Sequence, residues 1–328
     1  MSADLTSYCQ GFARAAEAWP PLPLADQPEL AWWEALVAGL AGEVLTGESL
    51  LQALEAALPQ LCLPQVQGIS DSALYKALVL RGEAAAGPRL DWQDPAALRL
   101  WIAPHPCGAM PVLETPSWHD FVQLVRALAH RAEPVGLADG VHAQAISGLI
   151  HWGLIQRFGR QSRARLIVLH QAPYGSVPAR EVPADLGALG DEAWLAASSK
   201  LRLEHELTHL ATKRLLGEMR LNLLDELIAD CMGMVAALSR FSSELFGRCL
   251  GVDSPDGRWI TYTRELGEDD GRDALALTML RARELETMLL AHPWMLDQSQ
   301  SMARLRWLCQ QQLDVPITQA PSSGLRSA

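Results

Sequence analysis

Lys200–Leu238 reads KLRLEHELTHLATKRLLGEMRLNLLDELIADCMGMVAAL. Residues 194–216 contain neither Gly nor Pro and are rich in Leu, Ala, Lys, Arg and Glu, a helical composition. Leu203, Leu207, Leu210 and Leu215 recur at three- and four-residue spacing and make one apolar stripe. His205 and His209 lie off that stripe, one turn apart, so both imidazoles can reach the same ion. Glu206 stands about 100° round the helix from His205, beside the ion and free to touch a water on it.

Gly217 is a helix stop, and residues 219–238 form a second, very apolar helix. Glu226 and Asp230 lie on one stripe of it. Carboxylates on an apolar helix need a partner, because an unpaired buried charge is expensive. A metal ion and a histidine supply one each. From His209 to Gly217 is about 12 Å of rise, and from Gly217 to Glu226 about 13.5 Å. A tight turn near Gly217 therefore sets Glu226 level with His209 and Asp230 level with His205. Asp225 and Cys231 are displaced by about 100° from that stripe and are expected to face elsewhere. Cys231 is the competing third ligand should it point inward.

These residues resemble the thermolysin-like gluzincin zinc metallopeptidases, which carry HELTH on one helix and an N-E-x-x-S-D type segment on the next. The resemblance covers about residues 200–235. It implies one Zn2+ held by His205, His209 and Glu226, with Glu206 as general base and Asp230 orienting a ligand histidine. The N-A-x-x-W substrate motif and the calcium-site signature of those enzymes are missing, and the ligand spacing is shorter than in thermolysin. A downstream His or Tyr steadies the oxyanion in this clan, which makes Tyr262, Tyr174 and His292 the candidates here. An upstream strand often forms the sheet edge that pairs with substrate. Arg165–His170, RLIVLH, is the best strand in the chain, and either that edge role or an ordinary core place suits it. Arg165–Ala179 also resembles an uncharacterised group of bacterial proteins with this motif.

The other 290 or so positions read as a mostly α chain with a small β-sheet, an α+β fold in which further helices wrap the active-site hairpin. Expected helices cover 3–18, 28–45, 48–58, 71–82, 117–132, 141–158, 272–291 and 299–313, with a short helix or turn at 239–250. Short strands are expected at 98–103 and 259–263. Pro-rich loops occupy 59–70 and 103–116, Gly87-Pro88 breaks a helix, and 267–271 is an acidic loop. The expected organisation is a helical N-terminal layer over 1–115, a metallopeptidase-like region over 116–314 and a disordered tail over 315–328. Trp32 and Trp33 read as packing residues, His151 as a hydrogen-bonded core histidine, and His105 with Cys107 as too sparse for a zinc site.

Composition bounds the function. The net charge of −11 argues against nucleic acid and anionic membranes as partners. No apolar run of about 18 residues and no signal peptide is visible. The six cysteines form no C-x-x-C pair and read as reduced thiols. The expectation is a cytoplasmic peptidase of narrow specificity acting on a peptide or protein substrate. A non-peptidase zinc hydrolase and a zinc-stabilised binding module remain as alternatives.

Overall fold

The computed structural model describes residues 1–39, 48–83, 90–137, 140–159 and 164–318. The chain forms two compact units, one of Leu22–Ala172 and the other of Met1–Pro21 with the chain from Pro173 onward. The expected boundary at residue 115 falls inside the first of these. The reason is a strand pairing that joins residues on either side of it.

Helix α1 (Ala3–Cys9) opens the chain, with Ser2 as N-cap. The unit of residues 22–172 begins with α2 (Leu30–Gly39), α3 (Glu48–Ala57) and a single turn, α4 (Ala73–Tyr75), continued by a π-turn at Lys76–Leu80. Strands β1 (Arg99–Ala103) and β2 (Met110–Thr115) form an antiparallel pair. Helix α5 (Trp118–Ala129) follows, capped by Ser117. Next come β3 (Ala143–Ile146), α6 (Trp152–Phe158) and β4 (Leu166–His170). The sheet order is β1-β2-β4-β3, with β2 and β4 parallel. Every residue of β2 and β4 is buried, as expected of strands covered on both faces.

This sheet corrects three expectations. β4 is internal, with β2 on one side and β3 on the other, so it offers no edge to a substrate. β2 lies in the stretch read as a Pro-rich loop. Its Pro111 is in register with Ile102 of β1, and pairing with β4 begins only at Val112, so the missing N–H falls outside the β4 ladder. The first half of the expected helix 141–158 is β3, held in register from Ala143↔Leu169 to Ile146↔Leu166. The core under the sheet gathers Trp33, Leu54, Phe121, Leu124 and Val168, with Trp32 against it. Trp32 and Trp33 meet edge to face, as a packing pair. The helix expected over 28–45 ends at Gly39 within the described residues; residues 40–45 and Gly87-Pro88 lie outside them.

The second unit continues with α7 (Asp191–Leu216), α8 (Leu223–Leu238), α9 (Ser243–Leu250), α10 (Trp259–Thr263), α11 (Glu268–Ala291) and α12 (Ser301–Leu308). Two readings change here. Residues 259–263 are helix, not strand, and the acidic run at 268–270 is the first turn of α11, where carboxylates complement the helix dipole. Part of the expected disordered tail is placed: Ile317 is buried and its N–H donates to Glu284 at 2.8 Å. Residues 319–328 lie outside the described ones. No helix among the described residues is long and apolar enough to cross a membrane.

α7 begins with Asp191 and Glu192 and ends with Lys213 and Arg214, charges that suit both ends of its dipole. Gly217 caps it with φ 78°, a left-handed conformation that glycine adopts without strain. Asn222 starts α8 by accepting from the Asp225 N–H. The two helices pack closely because α8 carries Gly233 against Leu201. A Cβ at Gly233 would sit 2.7 Å from the Leu201 carbonyl oxygen, too near for either backbone to tolerate. Gly233→Ala is expected to push the helices apart and destabilise the fold by about 1–3 kcal/mol, read by denaturant melts. A melt unchanged from wild type would show that the close approach is not required.

Candidate metal centre

His205, His209 and Glu226 are all buried, and their ligand atoms lie within 4.8 Å of one another. The two Nε2 atoms face each other at 3.0 Å. Glu226 Oε1 is 3.3 Å from His209 Nε2, and Oε2 is 3.7 Å from His205 Nε2. An ion bound tetrahedrally at about 2.1 Å holds its ligand atoms about 3.4 Å apart, so this triangle suits one. Two imidazoles and a carboxylate are also the donor set of a hydrolytic zinc site with one position left open.

Each histidine has a carboxylate behind it. Asp230 Oδ1 lies 2.7 Å from His205 Nδ1. A Nδ1–H donated there leaves the Nε2 lone pair facing the ligand set. Asp225 Oδ2 lies 3.4 Å from His209 Nδ1. Asp225 was expected to face elsewhere. It is turned inward because the chain reverses at Leu221, φ 53°, and the N–H groups of Arg220 and Leu221 both donate to Oδ2 at 3.1 Å. Cys231 is buried but lies outside the ligand cluster, and burial pushes its thiol up to about 12.

Charge follows the same pattern. Burial opposes ionisation of Glu226, but His205 and His209 outweigh it and hold the carboxyl down to about 2. Burial likewise opposes a charge on His209, yet Asp225 and Glu226 hold its pKa well above 6.5. Glu206 is half-buried on α7, and no described side chain pairs with its carboxylate.

The three candidate electrophiles part company. Tyr174 reaches the site from behind. Its hydroxyl is 3.0 Å from His205 Nδ1 and donates to Asp230. Tyr174 is held there by its N–H on Ser198, by the Arg202 guanidinium over its ring and by Gly175, whose missing side chain admits Cys249. In this place its hydroxyl is taken up by Asp230 and His205. His292 donates from Nδ1 to the Met288 carbonyl at the end of α11 and is not in the cluster. Tyr262 does lie beside Glu226; burial first, then the Glu226 charge, drive its phenol far above the usual value. It also accepts a hydrogen bond of 2.9 Å from Arg258.

Arg258 is the residue that the sequence reading missed. Its guanidinium comes within 3.9 Å of Glu226 Oε2. The four-residue spacing of Arg258 and Tyr262 was visible, but as a strand it would have put them about 13 Å apart. With Arg258 as the N-cap of α10 they are one turn apart and meet.

Asp230→Asn is expected to weaken zinc by about 10- to 100-fold, measured by competition with a chelating dye. Asp225→Asn should act in the same direction with a smaller effect, because its contact is the longer one. Unchanged affinity in both would show that neither carboxylate supports the ligands.

The chain matches a family of unknown function, DUF7005, over residues 2–164 and 160–316, and so belongs to it. No curated protein and no solved structure matches.

Proposed function

We propose that the protein is a zinc-dependent metallohydrolase whose substrates are peptides. The observation that carries this reading is the convergence of His205, His209 and Glu226, with Glu206 next to His205 on the same helix and no described side chain paired with its carboxylate. A zinc ion there would polarise a carbonyl and lower the pKa of a water. His205, His209 and Glu226 would hold the ion. Glu206 would take the proton from the water and pass it to the leaving amine. Asp230, Tyr174 and Asp225 would fix the two imidazoles behind the ligand face. The preference for peptides over other amides and esters rests on the resemblance of the HELTH helix to the gluzincins. The six cysteines form no disulfide, which suits a reducing compartment, and we propose a cytoplasmic enzyme.

Two measurements test this. Protein purified without chelator and supplied with zinc is expected to hold one ion per chain by elemental analysis. Less than about 0.2 per chain would remove the metal reading. Peptide-library cleavage then tests the activity, and zinc-loaded protein that cleaves no peptide but does cleave other esters or amides would favour the wider hydrolase class.

A further inference from the structure

We propose that Arg258 is the anion-binding group of this site, placed to receive a negatively charged oxygen of the substrate beside the metal ligands. The inference rests on the metal reading above and names what that reading lacks, a positive group on the substrate side.

Among the described residues, Arg258 is the one Lys or Arg side chain within ion-pair distance of a proposed ligand. Its side chain is 34% exposed, whereas that of Glu226 is 4% exposed, so of the two charged groups Arg258 is the one that solvent reaches. At 3.9 Å the approach to Glu226 is an ion pair without a hydrogen bond. The guanidinium carries five N–H donors and cannot be deprotonated in the physiological range. One of them goes to Tyr262 of α10 at 2.9 Å, which fixes the group at the start of that helix.

The other acidic groups are placed differently. Asp230 and Asp225 stand behind the histidines, against Nδ1 atoms, and Tyr174 is committed to Asp230. Glu226 faces the ligand nitrogens. An ion bound there would draw on the Glu226 charge and leave the Arg258 donors for another acceptor. A cation beside a metal site weakens metal binding when no anion is present, so its place is explained by an anion that binds with both. Planar, forked donors suit the paired oxygens of a carboxylate or of a tetrahedral oxyanion. The bound oxygen is thus either a permanent carboxylate of the substrate or the oxygen that gains charge during attack.

The test uses the full chain loaded with cobalt(II), whose visible spectrum reports ligands at the metal. Inorganic phosphate, acetate and acetohydroxamate are titrated into wild type, Arg258→Gln and Arg258→Lys. Arg258→Gln is expected to weaken phosphate or acetate by about 10- to 100-fold, with Arg258→Lys in between, and to change hydroxamate, which chelates the metal itself, by less than about threefold. Loss of acetate binding identifies a carboxylate-bearing substrate; loss of phosphate alone identifies the tetrahedral oxyanion. Equal anion affinity in wild type and Arg258→Gln, no anion binding by wild type, or an equal loss of hydroxamate would each overturn the proposal. If Arg258→Gln does not fold, the Arg258→Lys and Tyr262→Phe variants are read in its place. A chain that takes up no cobalt overturns the metal reading alone, and calorimetric titration of phosphate into the metal-free chain then decides Arg258 by the same Gln comparison.

Discussion

Glu206→Gln is expected to lower peptide turnover by about 10²-fold or more while leaving zinc content and melting temperature unchanged. The amide keeps the size of the side chain and removes its basicity. Glu206 is half-buried and no described side chain pairs with it, so no ion pair is broken by the change. His205, His209 and Glu226, the proposed ligand set, are untouched by the change. The comparison needs a verified substrate and metal analysis of both proteins. Wild-type turnover in the variant would show that Glu206 is not the base. A loss of zinc together with activity would show instead that Glu206 helps hold the ion.

How much of this was legible in the sequence differs from element to element. The hairpin was, because helix geometry is local: His205 and His209 four apart, Gly217 as a stop, and nearly equal rises on either side of it place Glu226 and Asp230 opposite the two histidines. Asp225 was not, because its direction is set by the left-handed turn at Leu221, where the backbone N–H groups capture Oδ2. A count of 100° per residue carries no such information. The sheet was half legible. β4 is a continuous apolar run, but whether it was an edge or a centre depended on partners at Val112–Thr115 and Ala143–Ile146. The first hid behind Pro111. The second hid in an apolar stretch whose short run suits a helix as well as a strand. Arg258 was out of reach for a related reason. Only a helix over 259–263 brings it together with Tyr262, and that five-residue helix has too few turns to show a period.

Zinc is expected to replace a proton in this site, so its apparent affinity should rise about tenfold between pH 6.5 and 7.5. In the metal-free chain the pKa of His209 is held well above 6.5, with burial opposing the charge and Asp225 and Glu226 favouring it more strongly. A raised histidine contributes stability that is complete below its ordinary value of 6.5 and is lost as pH climbs through the folded value. Glu226 works the other way. Its pKa falls from 4.5 to about 2, so its contribution is present above 4.5 and disappears as pH drops toward 2. On these two groups the metal-free chain should be most stable between about 4.5 and 6.5 and lose stability above that window as His209 sheds its proton. An ion bound by this group would take over the proton's task of neutralising Glu226, and it would bind only the unprotonated Nε2. Zinc-loaded protein should therefore keep its melting temperature from pH 6.5 to 7.5 while the chelator-treated chain loses some of its own. Competition titrations at several pH values, corrected for protonation of the competing chelator, give the affinity slope directly. An affinity independent of pH over that range would mean that His209 gives up no proton to the metal, and the ligand set would have to be redrawn without it.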